Sequence, residues 1–171
     1  MHNTLIKFGT MAALTFGLTA CDATAPPVAK AFGPADIAGT YEMVERVMAD
    51  GRVLKKPDIA ALYTLADGRG NLNLFIRNPD GKQASESSIL RYTLSDTQYC
   101  EWIEFTTRKD LDAPGVTNVA PPVTDHCTPI RTIADTVVFA PPGESVSTTW
   151  DRRGFTAVIP GQFTDHWRKI G

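Results

Sequence analysis

The chain has 171 residues, with 17 Lys and Arg against 19 Asp and Glu for a net charge of −2, three His and three Cys. With no cluster of basic residues, this balance excludes the electrostatic footprint of a nucleic-acid-binding protein and that of a polybasic membrane patch. The length is that of one ordinary domain, and 43% apolar residues suffice to close a single core.

Residues 1–20 carry the three parts of an export signal: a short polar start with Lys7, an apolar run from Phe8 to Leu18, and small residues before a cut. The run is about half the roughly 20 residues that a membrane-crossing helix needs. Leu18-Thr19-Ala20-Cys21 resembles the lipobox of bacterial lipoproteins. The resemblance implies removal of residues 1–20 and acylation of Cys21, with palmitate as a typical chain, so that the protein is held on a bacterial membrane facing the periplasm. Paired acyl chains anchor firmly where one binds only marginally. Asp22 is similar to the inner-membrane retention signal of such proteins and favours that membrane over the outer one. Membrane contact is expected through the Cys21 anchor alone.

Of the two other cysteines, Cys100 and Cys127, an oxidising compartment is expected to make a disulfide; the alternative is a pair of buried free thiols. They lack the Cys-x-x-Cys spacing of a metal knuckle. Residues 21–35 are the lipidated Cys and an Ala/Pro-rich tether without apolar period. Extended at about 3.1 Å per residue, such a tether reaches roughly 40 Å from a bilayer.

From residue 36 the pattern is one of short strands broken by turns. Strands are predicted over 40–48, 59–66, 71–77, 88–94, 98–105, 136–140, 145–150, 155–159 and 164–170, about nine in all. The alternation is clearest where Leu72, Leu74 and Ile76 oppose Asn71, Asn73 and Arg77. No window carries a helical apolar stripe, although a short helical turn fits 34–38. The Pro-rich stretch 109–126 reads as a long connection, an insertion or a lid, stapled at its base by the two cysteines.

Three stretches resemble bacterial lipocalin-like domains: Gly39-Thr40-Tyr41 opening the first strand, Tyr63-Thr64-Leu65-Ala66-Asp67-Gly68 closing another, and the terminal Trp167-Arg168-Lys169-Ile170. Tyr41 stands where those domains usually place Trp. The resemblance implies an all-β, antiparallel up-and-down barrel over residues 36–171, with about eight to ten strands and an interior that holds side chains or one small ligand. It also implies that Tyr41 and Arg168 pair as a cation–aromatic contact that closes the barrel floor.

Catalytic residues are not expected, since there is no Gly-x-Ser-x-Gly elbow and Gly68-Arg69-Gly70 lacks the spacing of a phosphate loop. No cofactor is indicated. Thr-Asp-His occurs at 124–126 and 164–166, but two lone histidines read as surface residues and no metal site is assigned. Candidate pocket residues are Glu45, which with Arg46 interrupts an apolar strand, and the aromatics Tyr63, Phe75, Tyr92, Trp102 and Trp150. These features predict enclosure of a small, largely apolar molecule. The alternative is a structural or protein-interaction module of the envelope with a filled barrel.

Overall fold

A computed structural model describes residues 30–78, 80–112, 117–120 and 126–171. The expected signal 1–20, Cys21, Asp22 and most of the tether lie outside the described residues. After one 3-10 turn at Pro34–Asp36 come thirteen strands. They are β1 (Gly39–Met48), β2 (Val53–Leu54), β3 (Ile59–Ala66), β4 (Arg69–Arg77), β5 (Gln83–Leu94) and β6 (Gln98–Asp110). The remainder are β7 (Thr117–Ala120), β8 (His126–Pro129), β9 (Arg131–Ile133), β10 (Thr136–Phe139), β11 (Ser147–Asp151), β12 (Gly154–Ile159) and β13 (Phe163–Lys169).

Every ladder is antiparallel, and the order β7-β6-β5-β4-β3-β1-β13-β12-β11-β10-β9 brings the first and last long strands side by side. The eleven strands of this path exceed the expected eight to ten, and β2 and β8 pair outside it. The excess comes from short polar pieces with no apolar alternation to announce them. The seam is bridged by the chain itself. β8 pairs with β6, and Ile130, whose N–H donates to the Thr97 carbonyl at 2.8 Å, leads directly into β9, which pairs with β10. The result is a nearly closed barrel.

The Cys100–Cys127 disulfide joins residues that are opposite each other in the β6–β8 ladder, so it fastens this seam. Residues 109–126 are not a single long connection: β6 runs on to Asp110, and β7 folds back on it with Thr106 opposite Ala120.

The first strand carries a bulge between Met43 and Glu45, where its register against β13 shifts by one residue. Before it, Tyr41 and Met43 point inward and are 0% and 2% exposed; after it, Arg46 is the inward residue and Val44 faces water. Bulges of this kind re-aim one side chain at the cost of a ladder bond. Arg46 meets Asp165 in a two-pronged pair, Nε to Oδ1 at 2.6 Å and Nη2 to Oδ2 at 2.8 Å, and its guanidinium lies 3.7 Å from the centre of the Phe163 ring.

The floor pairing differs from expectation. Alternation along β13 sends Trp167 and Lys169 inward and Arg168 outward, so Arg168 bonds Glu42 at 2.9 Å. Lys169 takes the place expected for Arg168, with its Nζ 5.7 Å from the Tyr41 ring centre and donating to the Asp36 and Ala38 carbonyls at 2.8 and 2.7 Å. Ahead of β1, Phe32 and Ile37 are buried among Tyr41, Leu65 and Leu90, and the Tyr41 hydroxyl donates to the Ile37 carbonyl. A second apolar cluster of Met43, Leu54, Ile59 and Ala61 fills another part of the interior.

A candidate ligand cavity in the barrel

Against the first of these clusters lies a cavity of about 400 Å³. Its aromatic wall follows from strand register. Trp150 is opposite Phe155 across β11–β12, and Phe155 is opposite Trp167 across β12–β13, so the three rings stack in a row with centres 4.0 and 5.0 Å apart. Phe139 continues the row 5.9 Å beyond Trp150, and Tyr99 stands 4.6 Å from Phe139. Tyr63 faces the row from β3, 6.2 Å from Phe155 and 6.4 Å from Trp167. Leu72, Leu90 and Ile103 supply aliphatic surface.

The polar groups of the cavity are few. The Tyr99 hydroxyl donates to Glu101 Oε2 at 2.5 Å and fixes the carboxylate, with the Tyr63 hydroxyl close to both. Burial, with the Glu144 carboxylate nearby, raises the Glu101 pKa above the ordinary glutamate value, against the opposing hydrogen bond from Tyr99. Burial raises the hydroxyl pKa values of Tyr63 and Tyr99 too, so both stay neutral donors at physiological pH. The Trp150 indole donates to Thr148 at 2.8 Å, and Thr148 in turn donates to the Phe139 carbonyl at 2.8 Å. By contrast Trp167 Nε1 is buried with no acceptor among the described residues.

Of the six residues proposed from sequence, Tyr63 and Trp150 line this cavity. Tyr92 is inward but packs in the core, 6.2 Å from Tyr99, without reaching the cavity wall. The other three lie elsewhere. Glu45 leaves the interior at the bulge and pairs with Lys55 at 3.0 Å. Phe75 shares its face of β4 with Asn73, opposite the inward Leu72 and Leu74, and borders a groove of about 510 Å³ on the outer wall. Trp102 alternates with the inward Glu101 and Ile103 and lies outside, beneath the Arg91 guanidinium at 5.6 Å.

Sequence reasoning missed Tyr99, Glu101, Phe155 and Trp167. Their signal was the phase of β6, in which Tyr99, Glu101 and Ile103 share one face, and the register of β12 against β13. His166 alternates with the inward Asp165, while residues 124 and 125 lie outside the described residues. Among the described residues no group of three or more His, Cys, Asp or Glu is placed to hold a metal ion. No protein-family model, characterised protein or solved structure matches the chain.

Proposed function

We propose that this is a lipid-anchored, lipocalin-like protein of the bacterial envelope, facing the periplasm, that binds a small, largely apolar molecule by enclosing it in the barrel. The observation that carries the reading is the interior cavity, about 400 Å³ and walled by stacked aromatic and aliphatic side chains with a few fixed polar groups. Small-molecule sites have this size and this mixture, roughly 300 to 1,000 Å³ and mostly apolar with a few oriented polar anchors. The filled-barrel alternative requires that volume to be occupied by the protein's own side chains.

The anchor rests on the lipobox resemblance at Cys21. No helix among the described residues is long and apolar enough to cross a membrane. Two measurements test the proposal together. Native mass spectrometry of the full chain, extracted from its host envelope, is expected to reveal a bound small molecule that is lost on denaturation; a co-purifying protein with an empty barrel would favour the interaction module. Metabolic labelling with palmitate is expected to mark the wild type and leave Cys21→Ser unlabelled.

A further inference from the structure

The cavity carries one sign of charge. Among the described residues that line it there is no Lys, Arg or His, whereas Glu86 from β5, Glu101 from β6, Glu144 from the connection after β10 and Asp165 from β13 all reach it. Asp165 is satisfied by Arg46. The glutamates that form ion pairs, Glu42, Glu45 and Glu104, are on the outer face, and Glu86, Glu101 and Glu144 have no such partner among the described residues. Tyr99 engages Oε2 of Glu101 and leaves Oε1 available.

A half-buried carboxylate without a cation carries a desolvation cost, and a neutral or anionic guest would add to it by displacing its remaining water. An ammonium head would remove it. With that head at the carboxylates, the carbon body would fill the apolar volume beside the aromatic row.

We propose that the guest is a small organic ammonium, an amine protonated at neutral pH on an apolar body, with its nitrogen seated at Glu101 and Glu144. The assignment rests on the enclosure reading above and narrows it to one ligand class.

The test is calorimetric titration near neutral pH of the full chain, purified in digitonin because that steroid detergent is too bulky for the cavity. The probes are octylamine, octan-1-ol and octanoate, which share a body and differ in the charge of the head. Octylamine is expected to bind about tenfold or more tightly than octan-1-ol, and octanoate weakest of the three. The amine-to-alcohol ratio should fall toward one in Glu101→Gln and decline in Glu144→Gln, an exposed position where folding is not at risk.

Equal binding of alcohol and amine, preference for octanoate, or a ratio unchanged in both variants overturns the ammonium assignment and leaves enclosure standing. Binding of none of the three overturns enclosure itself, and the assignment falls with it.

Discussion

Arg46 is an inward cation in a strand whose other inward residues are apolar or aromatic, and it is tolerated because Asp165 satisfies both prongs of its guanidinium. The pair is nearly dry, with side chains 12% and 5% exposed. Removing one partner strands the other's charge, so Asp165→Ala is expected to cost about 3–5 kcal/mol. The double replacement Arg46→Met with Asp165→Leu should recover most of that loss, because burying an ion pair gains little over burying apolar groups of similar volume. Urea unfolding of the three variants checks both values.

Glu101 offers the opposite case, a half-buried carboxyl with no cation among the described residues. Its folded pKa is raised above the ordinary 4.5, chiefly by burial, with Glu144 adding repulsion and the Tyr99 hydrogen bond opposing. The folded state therefore holds the Glu101 proton more tightly than the unfolded chain does. The stabilisation is full below the unfolded value and is lost as pH rises through the folded one. In Glu101→Gln that loss cannot occur. Its Tm without ligand should exceed the wild type's at pH 7, and the difference should vanish near pH 4. A wild type more stable than the variant at pH 7 would mean that the carboxylate has a cationic partner in the folded protein.

At the scale of elements, the strands were legible wherever one face is apolar and the other polar, as in β3 and β4. They were illegible where pairing is carried by backbone alone. The first half of β5, Gln83-Ala84-Ser85-Glu86-Ser87, has no apolar period, yet it pairs residue for residue with Asn73–Arg77 of β4 and continues onto β6. The barrel wall was thus readable from sequence, but its polar anchor Glu86 was not. Phase was the other gap: the bulge after Met43 reverses which of Glu45 and Arg46 faces inward, and alternation alone has no means to locate such a bulge.

Two element-scale predictions follow from contacts between strands. Gly154 starts β12 so close to β13 that a Cβ would lie 1.9 Å from the Trp167 carbonyl oxygen. Gly154→Ala should therefore push the Phe155–Trp167 stack apart and cost about 1–3 kcal/mol, read as a lower Tm with altered near-ultraviolet dichroism. The disulfide closes a separation of 27 residues. Replacing Cys100 and Cys127 by Ser should lose about 3.5 kcal/mol in the chain-entropy model. Amide exchange should accelerate most at β8 and β9, because those strands join the two sides of the seam.

Taken as a whole, the molecule depends on a segment that precedes its first strand. The β1–β13 ladder closes the cylinder sideways, but it leaves the end near Gly39 open. Phe32 and Ile37 enter there, 2% and 1% exposed, against Tyr41, Leu65 and Leu90. Lys169 then ties the same segment to the last strand through the Asp36 and Ala38 carbonyls. Phe32→Ala should cost about 3–5 kcal/mol, the usual range for emptying a buried aromatic site. The loss should carry a signature that ordinary core truncation lacks. Tyr41 stands between this plug and Trp150, with ring centres 5.2 Å apart, so opening the plug should let acrylamide quench Trp150 fluorescence in the still-folded protein. Unchanged quenching with the same drop in stability would mean that Phe32 is core filling alone, and that the barrel end is sealed by Tyr41 and Lys169 without help from the segment before them.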